Sequence, residues 1–144
     1  APKLIGDTPA LVRVTYSRPA KKGREVFGKL IPLNEVWRAG ANEATEIKFY
    51  KDATLQGKAV KAGTYSLFII PMATEWTIIL NTDLDQWGAY SYNITNDILR
   101  VNVPVMKSEA AIEHFSIQLT KGNNNEAILK FGWDTTLVEV PISF

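Results

Sequence analysis

The chain has no cysteine among its 144 residues and only one histidine. The first absence excludes disulfides, thiolate catalysis and thiolate metal ligands. It leaves the compartment open, because an oxidising environment permits disulfides without requiring them. With one histidine, a zinc site would have to be assembled mainly from carboxylates, a donor set that zinc rarely accepts. No charge of one sign prevails: sixteen basic and fifteen acidic residues give a net charge of +1. The basic residues are spread along the chain, so the electrostatic footprint of phosphate-backbone binding is missing and nucleic acid is not expected as a partner. No apolar run approaches the roughly 20 residues needed to span a bilayer as a helix. The signatures G-x-S-x-G, G-x-G-x-x-G, the phosphate-binding P-loop and H-E-x-x-H are also absent, which removes the commonest nucleophile, nucleotide and zinc motifs. Neither a cofactor nor a metal is expected.

What the sequence does contain is β-structure. Its length suits one domain, taken here as 1–144, and its dominant hydrophobic period is two, in runs rich in Val, Ile, Thr and aromatics. In Leu11–Ser17, Val12, Val14 and Tyr16 alternate with Arg13 and Thr15; in Glu46–Tyr50, Ile47 and Phe49 oppose their charged neighbours. Thr64–Ile70 and Glu75–Asn81 are apolar on both faces, the mark of central strands covered on each side. Leu99–Val105, Phe115–Leu119, Ala127–Trp133 and Leu137–Phe144 alternate again, with turns expected at Gln56-Gly57, Ala62-Gly63, GNNNE and DTT. About eight or nine strands at this spacing predict an antiparallel two-sheet β-sandwich. One helical turn is expected, at Ser108–Glu113 with Ser108 as its N-cap. Arg18–Asn42, rich in charge and carrying two prolines and three glycines, reads as one long irregular loop, a kind of segment often given over to function.

The runs YSRPAKKGREVFG, VWRAGANEAT, AGTYSLFIIP, EWTIILN, QWGAYSYN and DILRV, in that order, resemble the bacterial family catalogued as domain of unknown function 2911, from about Val14 to Leu119. The resemblance implies a compact β-rich domain, extracytoplasmic in Bacteroidetes-like bacteria, with no established activity and no catalytic residues to carry over. The start APKLIGDTPA, without a charged or apolar leader region, fits a mature secreted chain, so a periplasmic or extracellular location is expected.

Candidate functional residues gather around WRAGANEAT, Trp37 to Thr45. Arg18, Arg38 and Arg100 are three of only five arginines, and each lies beside apolar or turn residues where a guanidinium needs a partner. Glu43 and Asp97 are natural bidentate acceptors. One reading makes Arg38, Asn42 and Glu43, with Arg18 or Arg100, a polar pocket for an anionic or sugar-like ligand. The other makes them an arginine–carboxylate network that pins the long loop to the sheet. Trp87, Tyr90 and Tyr92 offer an aromatic platform for a sugar ring, with Tyr90 and Tyr92 on one strand face, or else ordinary packing. Lys21-Lys22-Gly23-Arg24 ranks second as an anion site and reads first as a solvated loop. His114 reads as a surface or hydrogen-bonded residue. Asn81-x-Asp83-x-Asp85 begins like a calcium loop, but the sixth-position glycine and twelfth-position glutamate are missing. The leading expectation is a small extracytoplasmic domain that binds an anionic small molecule or glycan. The alternatives are an envelope-associated interaction module and, third, a hydrolase using Glu43.

Overall fold

The computed structural model describes residues 11–123 and 125–144. Eight antiparallel strands follow in chain order: β1 (Val12–Thr15), β2 (Thr45–Phe49), β3 (Ala53–Leu55), β4 (Lys58–Val60), β5 (Gly63–Pro71), β6 (Glu75–Asn81), β7 (Asp97–Lys121) and β8 (Glu126–Ser143). They hydrogen-bond in the order β1-β2-β5-β6-β7-β8-β3-β4. The all-β, antiparallel expectation therefore holds, but the hydrogen bonding does not divide the strands into two sheets. It runs through one eight-stranded sheet that is not closed, with β1 and β4 at its edges. The reason lies in β7, which pairs with β6 from Asp97 to Pro104 and with β8 from Val105 to Lys121, so a single strand joins the two halves.

That continuity corrects two local expectations. Ser108–Glu113 is not helical but part of β7, and Ser108 Oγ donates to the Ala110 carbonyl instead of accepting from amides as an N-cap does. The register there passes from Lys107–Thr136 to Ile112–Asp134 and then to Ser116–Gly132, so β7 carries more residues than β8 across the stretch. Extra residues of this kind bulge one strand and bend the sheet. DTT is likewise no turn: β8 runs through it, with Asp134 at φ 52° absorbing the irregularity. The tight turn signalled at Gln56-Gly57 does form, with both residues at positive φ as a two-residue hairpin turn demands, and it joins two strands too short to show as periodic runs.

Both faces of β5 and β6 are buried, as their two-sided apolar sequences predict. On one side Leu67, Ile69, Ile78 and Leu80 enter the main core with Trp76, Phe115, Phe131 and Trp133. On the other, Phe68 and Ile79 form a smaller cluster with Ala44, against which Val36, Ala89 and Tyr92 pack. The irregular segment 18–42 contributes to the main core itself. Val26 and Trp37 are buried, and Trp37 has its ring 5.0 Å from Phe115 and 6.1 Å from both Trp76 and Trp133. Aromatic burial on this scale, with edge-to-face and offset contacts, dominates the energetics of a small core.

Candidate functional site

The backbone of WRAGANEAT is a corner of the fold. Trp37 exchanges backbone hydrogen bonds with Ile69, its N–H at 2.7 Å and its carbonyl at 2.9 Å, so the chain is extended there. Trp37 Nε1 donates to the Gly40 carbonyl at 3.2 Å, and Thr45 Oγ1 donates to the Ala39 carbonyl at 2.6 Å. Ala39 is buried at φ 57°, a left-handed conformation that costs an alanine energy and persists only where its surroundings hold it. At Gly40 a Cβ would lie 3.3 Å from the Ser17 carbonyl oxygen, so the chain passes close.

An extended Trp37 has a consequence for its neighbours. Alternation sends Val36 and Arg38 away from the main core that Trp37 enters. Both line an open groove of about 650 Å³, together with Leu30, Ile31, Glu35 and Tyr90. Arg38 is half-buried, and its Nε is buried without a hydrogen-bond partner, the only such side-chain nitrogen or oxygen among the described residues. The expected pairing with Glu43 does not occur: among the described residues the ion pairs are Lys21–Asp134, Arg100–Asp97 and Lys130–Glu139. Tyr90 lies over Gly88. A Cβ there would sit 3.0 Å from the Tyr90 ring and 3.4 Å from Arg38 Nη1, and Gly88 has φ 70°, so only glycine suits the position.

Other nominated residues lie elsewhere. Asn42 is exposed at φ 62°, and its carbonyl accepts the Gly88 N–H at 2.7 Å, which ties the two loops together. Glu43 forms a backbone bridge with Trp87 and lines a separate small depression with Glu46 and Asp85. Glu46 Oε2 accepts the Asp85 N–H at 3.0 Å. Arg18 is exposed, with only a long bond of 3.4 Å to Ser116 Oγ. In the basic cluster, Arg24 turns back to donate to the Ala20 and Lys21 carbonyls. His114 is exposed.

Asp97, Arg100 and Tyr92 form a closed network. Arg100 Nε donates to Asp97 Oδ2 at 2.8 Å, Arg100 Nη2 donates to the Tyr92 hydroxyl at 2.7 Å, and that hydroxyl donates to Asp97 Oδ2 at 2.5 Å. Asn81 Nδ2 occupies the other carboxylate oxygen at 2.9 Å. Burial raises the Tyr92 pKa above the ordinary phenol value, with the Asp97 hydrogen bond next, and the bond to Asp97 raises that of Arg100. These partners satisfy each other and tie the loop between β6 and β7 to the start of β7. The expected platform of Trp87, Tyr90 and Tyr92 does not assemble. No strand carries Tyr90 and Tyr92, because the chain turns there, and Tyr92 packs edge-on to Phe68 at 5.0 Å while Tyr90 is 84% exposed.

Six groove residues escaped the sequence reading: Leu30, Ile31, Pro32, Glu35, Val36 and Ala89. The signal for Val36 was the alternation Val36-Trp37-Arg38; for Glu35 there was none. Among the described residues no group of three or more His, Cys, Asp or Glu is placed to hold a metal ion, and no helix is long and apolar enough to cross a membrane. Over residues 6–142 the chain matches the family described as "Protein of unknown function (DUF2911)", and it belongs to that family. No curated protein and no solved structure matches it.

Proposed function

We propose that this family member is a small extracytoplasmic binding domain whose ligand carries an anionic group that docks on Arg38. The observation that supports the reading is that Arg38, whose Nε is buried without a hydrogen-bond partner, lines an open groove and has no ion-pair partner among the described residues. A bound carboxylate or phosphate on the Nη side of the guanidinium fork would supply the counter-charge that the fold itself does not. The groove's size falls within the usual range for small-molecule sites. Asn42 serves this reading from behind, by holding Gly88 and hence the Tyr90 wall, and Asp97 with Arg100 serves it by anchoring the loop that carries both.

The test is a thermal-shift and calorimetric screen of wild type and Arg38→Ala against phosphate, citrate, glucuronate, octanoate and uncharged glucose. At least one anion is expected to bind wild type with at least tenfold loss in Arg38→Ala. Anions that bind both proteins equally, or neither, refute the site.

A second reading, an interaction module for an envelope protein, is favoured by one observation. Of the exposed large hydrophobics, Leu84, Trp87, Tyr90, Ile94 and Ile98 all come from the connection between β6 and β7 and its junction with β7. Five exposed apolar side chains concentrated in one connection are the raw material of a partner site.

A further inference from the structure

The chemistry of the groove walls narrows the ligand further. We propose that the occupant is a free aliphatic acid carrying a single carboxylate, an inference that rests on the Arg38 binding reading above. Leu30, Ile31, Pro32, Val36 and Ala89 make most of the lining, and they offer an apolar body a surface but offer hydroxyl groups no side-chain partners. Trp37 also lines the groove, but its indole N–H is already bonded to the Gly40 carbonyl. A sugar ring lying here would therefore desolvate several hydroxyls for few returned hydrogen bonds, an unfavourable exchange. The Tyr90 ring lies against Gly88 on its Cδ2–Cε2 side while the residue stays 84% exposed, so most of the ring is open as a flanking wall.

Charge sets the valence. The groove has two ionisable side chains besides Tyr90, Arg38 and Glu35, and they are not within ion-pair distance of each other. One guanidinium matches one carboxylate bidentately. A second negative charge on the ligand would find no other cation in the lining and would meet Glu35, so dicarboxylates and phosphate esters are selected against. Free acids are favoured over the carboxyl end of a peptide for the same reason that disfavours sugars, since each peptide amide entering the groove would need a polar partner.

The experiment is isothermal titration of the full chain with butyrate, hexanoate, octanoate, 1-octanol, azelate, glucuronate and an N-acetylated dipeptide ending in leucine. Wild type, Arg38→Gln and Glu35→Gln are compared, with thermal unfolding as a check on folding. Expected are a rise in affinity of about fourfold per methylene through the acid series, at least a tenfold loss for 1-octanol and for Arg38→Gln, and tighter acid binding with restored azelate binding in Glu35→Gln. Because Glu35 is exposed, its variant keeps the test open if Arg38→Gln fails to fold. Arg38-dependent binding of glucuronate without a chain-length trend overturns the aliphatic acid and leaves the binding reading standing. Tighter binding of the dipeptide than of hexanoate overturns it in favour of a peptide end. Acid binding that Arg38→Gln leaves unchanged overturns both readings.

Discussion

Arg100 and Arg38 are both half-buried, and both stand beside apolar residues in the sequence, yet the fold treats them in opposite ways. Arg100 has a carboxylate and a phenol within 2.8 Å, each of them also bonded to the other. Arg38 has a buried Nε with no partner, and a groove beside it. An arginine answered by a carboxylate and a phenol of its own fold is explained by stability. One left without an ion-pair partner is explained by what binds it, because burying a charge without a partner is a cost that folding alone gives no reason to keep.

The comparison is broken most directly at Asp97. Its side chain is 9% exposed, and Asp97→Ala leaves Arg100, Tyr92 and Asn81 each short of a partner. A loss of about 3 kcal/mol in urea unfolding is expected, the low end for a buried pair because the Arg100 side chain is 36% exposed. A loss under about 1 kcal/mol would show that the network is ornamental and that Arg100 is no better explained than Arg38.

Tyr92→Phe is the intermediate case. It removes one hydroxyl and leaves Asp97 and Arg100 paired, so about 1–2 kcal/mol should be lost at neutral pH. Because the folded protein raises the Tyr92 pKa, its contribution is complete below the ordinary tyrosine value of about 10 and disappears as pH rises through the higher folded value, the unfolded chain releasing its proton first. Wild type should therefore lose stability above pH ~10 more steeply than Tyr92→Phe. Tyr65, also raised by burial and by Asp52, should leave the variant some residual slope. Equal slopes in the two proteins would mean that the fold does not hold Tyr92 protonated.

Arg38→Ala should have the smallest effect, within about 1 kcal/mol in the same unfolding experiment, since no carboxylate is orphaned by its removal. A loss near that of Asp97→Ala would place Arg38 with Arg100, as part of the corner, and the groove would lose its anchor.

Much of the fold was legible because strand alternation is local. Val12 and Val14, Ile47 and Phe49, and the two-faced β5 and β6 all lie where period two places them. The long strands were cut short in the reading because polar stretches such as Lys107–Glu113 and Asp134–Thr136 look like breaks. In the fold they are the bulged bend through which β7 and β8 continue. The site was half legible. Arg38 stood out by its residue type and context, and Asp97 was a sound partner for an arginine. Glu43, offered as an acceptor for one of the three arginines, pairs with none of them because neighbours in an irregular segment need not face one another, and here its backbone pairs with Trp87.

By itself, the sequence determined that this is an all-β chain without cysteine and with a single histidine, and that its long loop carries an arginine in apolar company. These follow from composition and from a two-residue period, both properties of the chain read in order. Only the tertiary structure decided which arginine is answered and which is not. Whether Arg38 finds a carboxylate or an open groove depends on how residues 30–38 and 88–90, about fifty positions apart, pack over the outer face of β5 and β6. No spacing in the sequence encodes that meeting, because each loop takes its place from the sheet beneath it and not from its own pattern.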